Sequence, residues 1–125
     1  VIDGVGNNLA NHITGNTAAN VLSGMKGHDL LLGGSGDDSL AGGSGNDTLA
    51  GDAGADTAAG GDGNDLLRVN GADDVVIELV GGGNDTVQAR ASHGLAEGVH
   101  AEWLVLTGVT AIDATGNSLD NTISG

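Results

Sequence analysis

Residues 24–68 read GMKGHDLLL-GGSGDDSLA-GGSGNDTLA-GDAGADTAA-GGDGNDLLR, five nine-residue units that follow one another without a gap. Glycine holds the first and fourth positions of every unit, aspartate holds the sixth, and an aliphatic residue holds the eighth. The period continues upstream, with Asn11 and Asn20 at the sixth position, and downstream, with Asp74 and, after two additional residues, Asp85. A fixed period of this kind indicates a solenoid, in which each repeat packs on its neighbours.

Each unit contains one turn and one short strand. Glycine permits positive φ, and Gly with Asp or Asn favours turns, so about six residues form the turn and about three form the strand. The middle residue of the strand points inward because strand side chains alternate. Two such units complete one coil. The sequence therefore predicts an all-β fold, a right-handed parallel β-roll (a β-helix or solenoid) with coils about 4.8 Å apart. Parity assigns the inward residues to two sheets: Ile13, Leu31, Leu49 and Leu67 to one, and Leu22, Leu40, Ala58 and Val76 to the other.

The composition argues against a conventional domain and points to a cation. The chain has 17 acidic residues against three basic ones, a formal charge of −14, 25 glycines, no proline or cysteine, and one aromatic residue, Trp103. So few bases exclude a nucleic-acid partner, and the lack of cysteine excludes a disulfide scaffold. No apolar run reaches the ~18 residues of a membrane span. A polyanion with so thin a core is expected to stay disordered until a cation neutralises it.

Successive units lie on opposite sides of each coil, so the sixth-position acids also stack in two rows, one on each edge of the roll. Neighbouring carboxylates about 5 Å apart repel each other by about 1 to 3 kcal/mol per pair, so cations between the turns are required. Carboxylate and carbonyl oxygens suit calcium, which accepts six to eight such ligands flexibly, better than magnesium. The sequence thus predicts calcium between stacked turns. One edge holds Asp29, Asp47 and Asp65, followed by Asp85, and the other holds Asp38, Asp56 and Asp74.

GGSGDDSLA, GGSGNDTLA and GGDGNDLLR resemble the RTX nonapeptide, Gly-Gly-x-Gly-x-Asp-x-(large apolar)-x. The resemblance is strong over 24–68 and moderate over 69–88. It implies a calcium-binding segment that is secreted by a Gram-negative bacterium and folds on meeting extracellular calcium. It also implies that each ion lies between a turn and the next turn on the same edge. One turn gives carbonyls from its first and third positions, the next turn from its second and fourth, and both give their aspartate.

This scheme implies about four to six calcium ions. One ion would use Gly33, Ser35, Asp38, Asp52, Gly54 and Asp56, and another Gly42, Ser44, Asp47, Gly61, Gly63 and Asp65. The remaining predicted ligands are Gly24, Lys26, Asp29, Gly43, Gly45, Gly51, Ala53, Asp74 and Asp85.

Several residues have two interpretations. Asn11 and Asn20 are either weak calcium ligands or turn amides that form a ladder without an ion, and we expect the second. Leu104 and Leu106 alternate and should point inward, which leaves Trp103 facing outward. His12, His28, His93 and His100 share no spacing that suggests zinc or catalysis, and the serines form no Ser–His–Asp arrangement, so we expect no enzyme.

The repeat pattern divides the chain into three parts. Residues 1–23 are Asn-type coils, predicted to be poor in ions; 24–88 form the calcium-binding roll; and 89–125 form a β-rich spacer. Residues 2–15 match 112–125 at an offset of 110, so we expect a fragment holding slightly more than one unit of a tandem array. Its partners would be neighbouring units of the same parent chain.

The sequence favours a structural module in a secreted or cell-surface repeat protein, for example a spacer in an adhesin. The alternative is a non-catalytic module of an exoenzyme such as an epimerase, protease or lipase, which assists secretion or binds an extracellular polysaccharide. A long basic groove would favour the alternative, but only Lys26, Arg68 and Arg90 are available.

Overall fold

The computed structural model describes residues 2–125, with side chains described from Asp3 onward. Fourteen strands and no helix occur in these residues, so the described part holds no helix that could cross a membrane. The strands are short because a glycine-rich turn interrupts the chain once in every repeat. They are β1 Ile2–Val5, β2 His12–Thr14, β3 Asn20–Lys26, β4 Leu30–Ser35, β5 Ser39–Ser44, β6 Thr48–Ala53, β7 Thr57–Asp62, β8 Leu66–Val69, β9 Val75–Ile77, β10 Thr86–Ala89, β11 His93–Gly94, β12 Trp103–Leu106, β13 Ala114–Thr115 and β14 Thr122–Ser124.

The strands alternate between two parallel sheets. One sheet has the order β1-β3-β5-β7-β9, the other has β2-β4-β6-β8-β10-β12-β14, and a separate two-stranded sheet joins β11 to β13. Through the regular coils each residue pairs with its equivalent two repeats on, as in Leu22↔Leu40 and Leu31↔Leu49. The predicted parallel β-roll, with two nonapeptide units in each coil, is therefore confirmed.

The core consists of two facing files of aliphatic side chains. Leu31, Leu49 and Leu67 are each 0% exposed and lie on consecutive strands of the seven-stranded sheet. Leu40 and Ala58 are paired in the five-stranded sheet. Both predicted files are thus confirmed, and they belong to one cluster of buried residues.

The break in the period forms a loop that projects from the roll: the repeat counts 78 and 79 as the two additional residues, but the strand register puts the projecting residues at 79 and 80. Leu79 is 69% exposed and Val80 is 80% exposed, whereas the strands on either side of this loop remain in the sheets. After the loop, Val87 pairs with Leu67 and restores the inward file, although the chain between them is longer than in a regular coil. The insertion therefore changes the turn and leaves the core unchanged.

Residues 89–125 continue one sheet and rebuild the other. β12 and β14 extend the seven-stranded sheet, with Leu104 fully buried and Trp103 46% exposed, as predicted. The five-stranded sheet ends at β9, and buried Leu95, Val99 and Ala101 cover the core there.

The two copies of the longer repeat fold alike. In the second copy, β13 and β14 occupy the positions that the end of β1 and the whole of β2 occupy in the first. Asn7 N–H donates to Asn11 Oδ1 over 2.7 Å, and Asn117 N–H donates to Asn121 Oδ1 over 2.9 Å. The same sequence thus forms the same local turn at both ends of the described roll.

Candidate metal sites

The sixth-position aspartates form two ladders of hydrogen bonds along the edges of the roll. On one edge, Asp29 N–H donates to Asp47 Oδ1 over 2.8 Å and Asp47 N–H donates to Asp65 Oδ1 over 2.7 Å. On the other, Asp38 N–H donates to Asp56 Oδ1 over 2.8 Å. One oxygen of each carboxylate is thus held by the backbone of the preceding coil, which brings the acids together as their parity predicts.

The other oxygen of these carboxylates is buried without a partner. Burial of an unpaired charged oxygen costs free energy in a folded protein, and a cation bound to each of these atoms would remove that cost. The atoms concerned are Oδ2 of Asp29, Asp38, Asp47, Asp56, Asp65 and Asp85.

The first-position glycines stand where these free oxygens converge. A Cβ placed on Gly42 would meet Asp47 Oδ2 and, at 2.6 Å, the carbonyl oxygen of Gly60 in the next coil. A Cβ on Gly24 would likewise meet Asp29 Oδ2 and the Gly42 carbonyl oxygen. Glycine is required here because a carboxylate oxygen and a carbonyl oxygen occupy the space of a side chain. A carboxylate oxygen without a hydrogen-bond partner, next to a carbonyl oxygen, is a pair of ligands that suits a hard cation such as calcium.

Burial opposes the negative charge of the ladder. It raises the pKa of Asp47, Asp56 and Asp65 above their ordinary value, and the neighbouring carboxylates raise it further. The backbone hydrogen bonds partly counteract both effects. A divalent ion beside the free oxygens would lower the pKa of these carboxyl groups again, because an opposite charge favours the ionised form.

The predicted carbonyl ligands occupy matching turns. Met25 pairs with Gly43 and Lys26 with Ser44, so the predicted ligands Gly24, Lys26, Gly43 and Gly45 lie within two adjacent coils. The same pairing brings Asp52 beside Gly34 on the opposite edge. The structure thus brings the predicted residues together, and their assignment as ligands stays a prediction. The carbonyl ligands so placed are Gly24, Lys26, Gly33, Ser35, Gly42, Gly43, Ser44, Gly45, Gly51, Asp52, Ala53, Gly54, Gly61 and Gly63.

The second position of the turn requires positive φ. Gly34, Gly43 and Gly61 have φ values of 108°, 112° and 111°. Met25 and Asp52 occupy the same position with φ of 81° and 66°. These two residues are strained because a Cβ disfavours this conformation.

Asp74 differs from the other sixth-position aspartates. Its Oδ1 accepts the Asp56 N–H over 3.1 Å, but its Oδ2 accepts the N–H groups of Asn70 and Gly71 over 2.9 and 3.0 Å. Both oxygens therefore have partners within the protein. Asp74 closes its own turn and offers no unpartnered oxygen to an ion.

The asparagine turns are closed by their own amides. Asn11 Oδ1 accepts the Asn7 N–H, and Asn20 Oδ1 accepts the Asn16 N–H over 2.8 Å. These bonds lie within one turn, and at the other end of the roll the Asn121 amide also bonds between coils, because its Nδ2 donates to the Ala101 carbonyl oxygen over 2.9 Å. The backbone joins the ladder as well, since Asn11 N–H donates to Asp29 Oδ1 over 2.7 Å. That these turns hold no ion stays a prediction.

Two buried or half-buried glutamates belong to the acidic edge although the nine-residue period omits them. Glu102 Oε2 accepts the Asp85 N–H over 2.7 Å and so continues the ladder by one coil. Glu78 is 2% exposed and lies within reach of Asp65 and Asp85. A local signal exists for Glu102, because it directly precedes its strand, as Asp85 does. Glu78 lies in the break of the period and has no such signal.

Comparison with known proteins agrees with this geometry. A family model described as the RTX calcium-binding nonapeptide repeat, in four copies, matches residues 5–40 and again 41–76, together more than half of the chain. No curated protein matches the chain. The matched segments contain both regular aspartate ladders and their glycine-lined turns, and the chain belongs to the family of RTX calcium-binding nonapeptide repeats.

Proposed function

We propose that this calcium-binding β-roll serves as a folding-on-export spacer in a secreted bacterial repeat protein. One observation carries the proposal: six buried aspartates each hold an unpartnered oxygen on the same two edges of the roll. Such a stack is unfavourable without calcium, so the chain would stay unfolded where calcium is scarce. RTX repeats occur in proteins that Gram-negative bacteria secrete, which supports extracellular calcium as the trigger.

The expected stabilisation is large enough for a domain of this size. Each site contributes RT ln(1 + [Ca]/Kd), about 1.4 kcal/mol at a tenfold excess of calcium over Kd. About four to six such sites together contribute roughly 6 to 8 kcal/mol, which is within the usual range of domain stability. Calcium alone could therefore decide whether the chain is folded.

The role of spacer rests on the continuity of the roll. The seven-stranded sheet runs from β2 to β14 without interruption, and the last coil repeats the turn of the first. Parallel strands at about 4.8 Å make such a stack a stiff rod whose length grows with each unit. Neighbouring units of the parent chain could therefore extend it.

The alternative role, binding an extracellular polysaccharide, has one observation in its favour. Arg68 and Arg90 line a surface depression together with Gln88 and Asn70. Guanidinium groups pair with the carboxylates of acidic sugars, but Asp52 lines the same depression and competes for them. We therefore favour the spacer.

Circular dichroism and small-angle scattering test the proposal directly. The chain stripped of metal should give a disordered spectrum and the dimensions of an unfolded chain, and millimolar calcium should produce β structure and a compact rod. A β-roll that persists after complete removal of metal would refute calcium-triggered folding. Binding of an acidic oligosaccharide to the calcium-loaded rod would favour the alternative.

A further inference from the structure

Glu78 occupies a glycine position of the repeat. In the five-stranded sheet Ala59 pairs with Ile77, so Glu78 lies opposite Gly60, where the two preceding coils carry Gly42 and Gly24. These glycines face the free carboxylate oxygens, and a Cβ there would collide with them. The chain can place a glutamate at this point because the next residues, 79 and 80, leave the coil as an exposed loop.

The Glu78 carboxylate points back into the space between two coils. Its Oε1 accepts the Gly60 N–H over 3.0 Å, and a Cβ on Gly60 would meet both this oxygen and Asp65 Oδ2. Its Oε2 is buried and has no hydrogen-bond partner. Asp65 and Asp85 also hold an unpartnered buried Oδ2, and ligand atoms of the three carboxylates lie within 4.8 Å of one another.

Charge balance along this edge explains why an extra carboxylate is useful. Asp29, Asp47, Asp65 and Asp85 have three gaps between them. Calcium in each gap would bring six positive charges against these four carboxylates. Glu78 adds a fifth carboxylate within these three gaps and so brings the stack closer to neutrality.

We propose that Glu78, together with Asp65 and Asp85, forms a three-carboxylate calcium site that binds its ion more tightly than the regular two-aspartate sites. The proposal rests on the proposed function, since it assumes that the roll takes up calcium between its coils. It differs from that function in assigning a ligand outside the nonapeptide and in ranking the sites. The Glu78 site should fill first and release its ion last.

The test compares Glu78→Gln with Glu97→Gln by calorimetric calcium titration of the full chain. Glu97 is exposed and lies outside the ladder, so its replacement removes the same charge without touching the site. We expect Glu78→Gln to lose the tightest class of bound calcium or weaken it at least about tenfold, because a directly coordinating charge is removed. Glu97→Gln should titrate like the unaltered protein.

The outcomes separate this proposal from the function on which it rests. If the unaltered chain folds with calcium while both variants bind equally, the Glu78 site is refuted and the proposed function stands. If the unaltered chain takes up no calcium, the proposed function itself fails. Suppose that Glu78→Gln retains all its calcium and that, with metal removed from both proteins, it is more stable than the unaltered protein. Glu78 then only fills space as an uncharged side chain, and the site is likewise refuted.

A measurement on the unaltered protein covers the case in which Glu78→Gln does not fold. Europium replaces calcium, and its excitation energy depends on the total charge of its ligands. A site with three carboxylates should give a band separate from that of the two-aspartate sites and should fill first during titration. A single band throughout the titration would overturn the proposal.

Discussion

Replacement of Asp47 by alanine should cost more stability than replacement of Asp29, because Asp47 lies between two acidic neighbours. Asp47 contacts the coils of Asp29 and Asp65 through ladder bonds of 2.8 and 2.7 Å. Asp29 has an acidic neighbour on one side only, since the preceding residue of the ladder is Asn11. Asp47 can therefore serve two calcium ions and Asp29 one.

The magnitude follows from the contacts. Each replacement removes one backbone hydrogen bond to a carboxylate, worth about 1.5 to 3 kcal/mol. Each lost ion removes about 1.4 kcal/mol more at a tenfold excess of calcium. Asp47→Ala should thus lower the free energy of unfolding by about 4 to 6 kcal/mol and Asp29→Ala by about 3 to 4 kcal/mol. Asp29→Ala is the matched control, because it loses the same type of ladder bond, the Asn11 N–H to Asp29 Oδ1 at 2.7 Å.

Urea unfolding at a series of free calcium concentrations separates the two contributions. The slope of the unfolding free energy against ln[Ca] counts the ions released on unfolding. This slope should fall by about two ions for Asp47→Ala and by about one for Asp29→Ala. Equal slopes for the two variants would mean that ions do not lie between successive aspartates of this edge, and the reasoning would be wrong.

Four further outcomes are expected. Gly42→Ala should cost about 2 to 4 kcal/mol in calcium, because its methyl group would enter the space between Asp47 Oδ2 and the Gly60 carbonyl. Gly94→Ala, whose Cβ would meet nothing closer than 3.7 Å, is the control, and equal losses in thermal unfolding would contradict the site. Met25→Gly should raise the free energy of unfolding by about 1 kcal/mol by relieving a φ of 81°, and a decrease in urea midpoint would refute that strain. Magnesium should induce less β structure than calcium at equal concentration, because the predicted sites combine carbonyl oxygens with a flexible geometry that magnesium tolerates poorly. Identical titrations by circular dichroism would argue against calcium sites. Burial, aided by neighbouring carboxylates, raises the pKa of Glu78 to about 8 and that of Asp85 to about 6 in the metal-free fold. Groups with a raised pKa stabilise the fold at low pH, and this stabilisation is lost as the pH rises through these values. The metal-free chain should therefore gain β ellipticity as the pH falls from about 8 to about 5. A loss of β ellipticity over this range would contradict the predicted direction of the pH dependence.

The regular part of the fold could be predicted because its information is local. Glycine at fixed positions sets the turns, one inward aliphatic residue per unit sets the face, and the parity of two units sets which strands pair. This rule predicts that Leu31 stacks on Leu49 and Asp29 on Asp47 in successive coils, and both pairs occur as expected. Each coil contacts only its neighbours, so a wrong prediction for one coil leaves the predictions for the other coils unaffected.

The irregular residues were decided by the tertiary structure alone. The period counts Glu78 among the additional residues, but the register places it opposite Gly60 and directs its carboxylate toward Asp65. Asp74 has the sequence position of a ligand, yet its Oδ2 is taken by the backbone of its own turn. The sequence by itself thus determined the coil, its core and its regular ladders, since these repeat. Which oxygens remain free for an ion depended on how a loop leaves the coil and where a side chain then points, and these are properties of the packed turns rather than of the period.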